Sequence, residues 1–234
     1  MRMRAKKWAR PELAACPYFI KEPAQNRGRW AEQFPKKQPL YMELGCGKGG
    51  FLAELASCRP EINFIGIDLI SDVLAVARRN IQALYDRQGK TVDNVLLTSI
   101  EITRIELDFS EEDVVDRIYI NFCNPWFKHS QHKKRLTHPY QLEKYRVFLK
   151  DGGEIWFKTD DDGLFADSVR YFKEMGFSIL YQTQDLHQSG FSPNYLTEHE
   201  KMYTEQGIKT KFLIARKLSG TYRAARPVRG GTAG

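Results

Sequence analysis

The stretch Leu40-Tyr41-Met42-Glu43-Leu44-Gly45-Cys46-Gly47-Lys48-Gly49-Gly50-Phe51 decides how the rest of the chain is read. Leu40, Tyr41, Met42 and Leu44 form a strand-like apolar run. Glycines follow at positions 45, 47, 49 and 50, and residues 51–57 carry a helical pattern. A strand that breaks into glycines ahead of a helix lets backbone come close to a ligand at a helix N-terminus. Gly45, Gly47 and Gly50 satisfy G-x-G-x-x-G, the spacing of a dinucleotide turn. Glu43, an acid two residues ahead of the first glycine, suits a cationic ligand better than a pyrophosphate.

The pattern continues as alternating strands and helices. Residues 62–67, INFIGI, form a continuous apolar run suited to a strand buried on both faces, and Asp68 follows at its tip. An acid there suits the two hydroxyls of a ribose. Residues 71–85 form a helix with Ser71 as its expected cap, and residues 94–98 a third strand with Glu101 just beyond. Residues 117–122, RIYINF, make a fourth strand, followed by Cys123-Asn124-Pro125-Trp126-Phe127-Lys128. Polar and aromatic groups at a strand's carboxyl end lie where open α/β sheets collect ligands. The basic run His129-Ser130-Gln131-His132-Lys133-Lys134-Arg135 adjoins this loop, and Lys128, Lys133, Lys134 and Arg135 are candidates for phosphate contact. His129 and His132 lack a third ligand nearby, so no metal is expected.

A helix over residues 136–149 and a strand over residues 154–159 lead to Asp160-Asp161-Asp162, acids placed to cap a helix over residues 164–175. Strands at residues 177–183 and 209–216 flank a long loop with helical portions, in which Thr197-Glu198-His199-Glu200 has the form of a capping box. The expected architecture is a doubly wound α/β sheet of about seven strands, mostly parallel, closed by an antiparallel hairpin. Residues 1–38 read as a basic, aromatic-rich extension, either an arm lying on RNA or a loosely packed segment. Residues 39–217 read as the main domain and residues 218–234 as a disordered basic tail.

Composition narrows the partners. A net charge of +7 points to a polyanion. No apolar run approaches the ~20 residues of a membrane helix, and the charged N-terminus lacks the apolar core of a signal peptide. The cysteines at 16, 46, 58 and 123 show no paired spacing, so a reduced, cytosolic protein is expected.

Taken together the motifs resemble the bacterial tRNA (guanine-N7-)-methyltransferases. The likeness rests on Arg2-x-Arg4, ELGCGKGGF, NFIGID, the block INF-x-x-PW-x-K, HKKRLT, FKTD, QDLH and TEHE, in order along nearly the whole chain. It implies the Rossmann-like sheet of class I S-adenosylmethionine-dependent methyltransferases and methyl transfer to a guanine in the tRNA variable loop. It also implies that Glu43, Gly45, Gly47, Gly49, Asp68, Glu101 and Asn124 hold S-adenosylmethionine, with Asn124 at the reacting groups. Lys128, Asp160, Thr197, Glu198, His199 and Glu200 fall on positions that meet RNA. Monomer and homodimer are both compatible with the motifs.

Two positions depart from the family block, which usually reads F-x-D-P-W-P-K: Asn124 stands for the aspartate and Phe127 for the second proline. Guanine N7 carries no proton and needs no general base, so alignment of nucleophile, methyl carbon and leaving sulfur is the main demand. Asn124 keeps hydrogen-bonding capacity but gives up a charge that would stabilise the purine cation. Asn-Pro-aromatic also resembles the motif of methyltransferases acting on exocyclic amines. A catalytically silent RNA-binding relative is a further alternative.

Overall fold

In the computed structural model, which describes residues 6–220, the strands are β1 (Phe19–Ile20), β2 (Leu40–Leu44), β3 (Asn63–Asp68), β4 (Val95–Ser99), β5 (Val115–Asn121), β6 (Leu149–Thr159), β7 (Phe177–Thr183) and β8 (Lys211–Lys217). They form one eight-stranded sheet in the order β1-β4-β3-β2-β5-β6-β8-β7. Strands β1 to β6 pair in parallel, and β8 runs antiparallel to both neighbours. This is the expected doubly wound sheet with one strand more than anticipated. The extra member is β1, too short to leave a signature in the sequence.

The helices are α1 (Ala9–Ala14), α2 (Gly50–Cys58), α3 (Ser71–Arg87), α4 (Pro139–Phe148), α5 (Asp162–Glu174) and α6 (Glu198–Glu205). Strand β3 is buried from Asn63 to Ile67, which is why it reads as continuous apolar sequence. A Cβ at Gly66 would lie 2.5 Å from Leu52 and 2.8 Å from Leu97, so only glycine lets α2 and β4 close on β3. Helix α3 buries Leu74, Ala77, Ile81 and Tyr85 at helical spacing.

The N-terminal extension is neither a free arm nor loosely packed over its described part. Trp30 is fully buried, stacks on Phe109 at 4.9 Å between ring centroids, and donates its indole N–H to the Asp108 carbonyl at 2.8 Å. The buried Asp113 carboxylate accepts backbone N–H groups from Gly28 at 2.6 Å and Trp30 at 3.0 Å. Upstream, α1 packs on α3, and the Arg79 guanidinium lies 3.5 Å from the Trp8 ring centroid. Of the aromatics that looked aperiodic, Tyr18 and Trp30 are core residues, and Trp8 and Phe19 pack partly buried against the core. Arg2 and Arg4 and the tail beyond residue 220 lie outside the described residues. Among the described residues, no helix is long and apolar enough to cross a membrane.

Candidate active site

At the carboxyl ends of β2 to β5 the sheet opens into a cleft of about 920 Å³, lined by Gly45, Asp68, Glu101, Asn124 and Trp126 among others. A second pocket of about 270 Å³ adjoins it around the glycine turn and includes Glu43, Gly45, Gly47, Thr197 and His199. Gly45 lines both.

The turn is set by backbone demands. Gly45 and Gly47 have φ of +79° and +53°, and no atom lies within 4 Å of where their Cβ would stand. These two leave open space for a ligand. Gly49, also expected to admit the ligand closely, serves the packing of the helices as well. It caps α2 at φ +71°, and its Cβ would lie 2.8 Å from that of Ala77. Asp68 secures the same turn, accepting the Gly47 N–H and the Ile70 N–H at 3.0 Å each.

Glu43 is 3% exposed. Its Oε1 accepts from the Asn121 side-chain amide at 3.0 Å, while Oε2 is buried without a hydrogen-bond partner. Burial pushes its pKa up to about 8, against the opposing pull of the Asn121 hydrogen bond and the Lys158 charge. A partnerless carboxyl oxygen in a pocket is a strong acceptor for a cation, and a cation there ionises it. With the open glycines and the N-terminus of α2, the pocket fits a nucleoside whose cationic end reaches Glu43. The sequence places Asn121 at the polar end of the fourth strand without giving it a role; its part in steadying Glu43 comes from the pairing of β5 with β2.

Across the cleft, Glu101 is exposed and accepts a hydrogen bond from the Thr103 hydroxyl at 2.8 Å. Asn124 is also exposed, its Oδ1 accepting the Trp126 N–H at 3.0 Å. Phe122 and Trp126 flank this loop with φ of 50° and 45°, left-handed values that cost non-glycine residues about 1–3 kcal/mol each. The Lys134 ammonium lies 4.9 Å from the Trp126 ring centroid, and Lys133 lies 5.4 Å from that of Tyr140. Arg135 departs from its expected phosphate role: it is 4% exposed and paired inside the fold.

On the far rim, Thr197 and Glu200 make the capping box at the start of α6. Glu198 and His199 are exposed, and the His199 ring stacks on Phe122 at 5.9 Å. Glu200 is fully buried and therefore not in reach of RNA. Its carboxylate meets the Lys158 ammonium at 2.8 Å and also takes the Asn194 amide at 2.7 Å. Burial lowers the Lys158 pKa against the pull of Glu200. Asp161 caps α5 through the Leu164 N–H at 2.6 Å, and Asp160 offers its carbonyl to Lys211 at 2.8 Å. Lys128 is exposed, and neither Lys128 nor Asp160 lines the cleft or the smaller pocket.

A family model described as a putative methyltransferase matches residues 37–213. A tRNA (guanine-N(7)-)-methyltransferase of Clostridium perfringens (strain SM101 / Type A) is 55% identical over 93% of this chain and 100% of its own length. One from Clostridium beijerinckii is 56% identical over 93% of this chain and 99% of its own. Among solved structures, the 16S rRNA methyltransferase KamB aligns with a TM-score of 0.58 at 11% identity, covering 78% of this chain and 89% of that one. The antibiotic-resistance methyltransferase Kmr aligns with a TM-score of 0.53 at 17% identity, covering 78% and 88%. At such identities these two speak for the fold alone.

Proposed function

Because the chain belongs to the tRNA (guanine-N7-)-methyltransferase family, we propose that it transfers a methyl group from S-adenosylmethionine to N7 of a guanine in the variable loop of tRNA. The observation that carries the cofactor assignment is the buried, partnerless Oε2 of Glu43 beside the open Gly45 and Gly47. When bound, the cofactor supplies an electrophilic methyl carbon on a sulfonium. Glu43 then answers the cationic end of the ligand, Asp68 and Glu101 stand at the rim where ribose and adenine come within reach, and Asn124 faces the reacting groups.

Little proton chemistry is required. The N7 lone pair lies in the purine plane without a proton, so methylation is a direct displacement in which the residues hold partners in line. The amide of Asn124 is tied to the Trp126 N–H, which fixes the loop beside the incoming base. Lys133 and Lys134 on the cleft rim, with the exposed Lys128, supply positive charge for tRNA phosphates. Thr197, Glu198 and His199 face the smaller pocket from the opposite rim, and Asp160, in the turn between β6 and α5, is assigned to the RNA with them. Glu200 serves this rim indirectly, by fixing α6.

The experiment is incubation of the protein with methyl-labelled S-adenosylmethionine and unmodified tRNA, followed by nucleoside analysis. Label in 7-methylguanosine, mapped to the variable loop, is the expected result. Label in a base methylated on an exocyclic amine would redirect the chemistry to the Asn-Pro-aromatic alternative. Cofactor binding without transfer would leave an RNA-binding relative.

A further inference from the structure

The basic run after the Asn124 loop ends in an arginine that does something its lysine neighbours do not. The Arg135 Nε donates to the Pro125 carbonyl at 2.7 Å, and Nη1 meets the Asp167 carboxylate of α5 at 2.6 Å. Its side chain is 5% exposed, and Asp167 is itself held by Arg170 at 2.9 Å. The Asp167 pKa is lowered by the Arg170 and Arg135 hydrogen bonds, which overcome its partial burial. Pro125 lies between Asn124 and Trp126, whose backbone φ is 45°. Proline has no N–H, so a hydrogen bond at this residue's backbone must come through its carbonyl.

The geometry points to Arg135 as a positioning residue: a two-pronged guanidinium that transmits the fixed frame of α5 to the Pro125 carbonyl and so holds Asn124 and Trp126 where the target base must meet the methyl donor. It acts through the loop and touches neither cofactor nor RNA. A guanidinium suits this role because its donors point in fixed directions from one plane, one prong to a carbonyl and another to a carboxylate. A lysine ammonium carries the charge without that geometry. The left-handed Phe122 and Trp126 give the loop a reason to spring away once the grip is lost.

The assignment rests on the proposed methyl transfer, and its test separates the two. Steady-state methylation, binding of S-adenosylhomocysteine, and the salt dependence of tRNA binding are measured for wild type, Arg135→Gln, Arg135→Lys and Lys134→Gln. With Arg135→Gln, kcat should fall roughly 10- to 100-fold, the scale of a displaced loop. The KM for tRNA and the S-adenosylhomocysteine Kd should stay within about twofold, and the slope of log K against log salt should not change. Arg135→Lys should fail to restore kcat. Lys134→Gln should reduce the salt slope by about one. If Arg135→Gln instead lowers the salt slope by about one and spares kcat, the residue is a phosphate contact and the assignment is overturned. Restoration of kcat by lysine would equally overturn it, since charge alone would then suffice. Should Arg135→Gln fail to fold, Asp167→Asn, which removes the anchoring charge, must show the same kcat loss at unchanged salt slope. A wild-type protein that binds S-adenosylhomocysteine but methylates no tRNA would refute the function and not the geometry.

Discussion

At the scale of single residues, Glu43 and Asn124 carry the sharpest expectations. With a native pKa of about 8 against the ordinary 4.5, Glu43 keeps a proton in the folded protein that the unfolded chain releases. Its contribution to stability is therefore fully present below about pH 4.5 and is lost as pH rises through about 8. Melting temperatures of the ligand-free protein should show this fall, and Glu43→Gln should remove it; equal pH slopes in both proteins would contradict the burial argument. Binding of S-adenosylhomocysteine near neutral pH should release up to about one proton from wild type and none from Glu43→Gln, read by calorimetry in buffers of different ionisation enthalpy. Asn124→Asp restores the usual carboxylate and keeps an acceptor for the Trp126 N–H. Turnover should hold or rise, and a complete loss would show that the amide itself is needed. The places of Glu43, Asp68 and Asn124 were legible because each lies at or just beyond the carboxyl end of a strand whose apolar pattern is plain: within β2, at the tip of β3 and three residues after β5. Asn121, which steadies Glu43, was not, because the pairing of β5 with β2 spans 78 positions of chain.

Among the elements, α6 shows how local and distant signals combine. The Thr197 to Glu200 capping box was readable from spacing alone. Its second use was not, because the partner is Lys158, 42 residues earlier on strand β6. A buried pair is costly to break from one side, since the surviving charge has no water to turn to. Lys158→Met should destabilise the fold by about 3–5 kcal/mol, measured by urea unfolding. Thr197→Ala, which loses the cap alone, should cost about 1 kcal/mol. A Lys158→Met loss no greater than that of Thr197→Ala would mean that the remaining partners of Glu200, Asn194 and His187, satisfy it by themselves.

For the whole molecule, residues 6–38 changed most between sequence and structure. Composition suggested an appendage, because short irregular segments bury their aromatics without any period to detect. Trp30 stacked on Phe109, with the Asp113 carboxylate gathering N–H groups beneath it, makes the extension part of the main core. Trp30→Ala should therefore cost about 3–5 kcal/mol, as in other large-to-small core changes. Deleting residues 1–38 should yield protein without a cooperative melting transition. A truncated protein that melts like the full chain would restore the picture of an appendage.

Strand β8 sits between β6 and β7, and β7 joins the sheet through β8. During synthesis, β7 is therefore complete well before the strand that anchors it has been made. Until β8 is made, the half-built sheet has β6 unpaired on one side and β7 without a strand partner, a template for association with other chains. Timing, as much as energy, then places a premium on the last strand: a chain arrested before Lys211 leaves the β6 edge open, and one that has formed β8 covers it and makes β7 the outer strand.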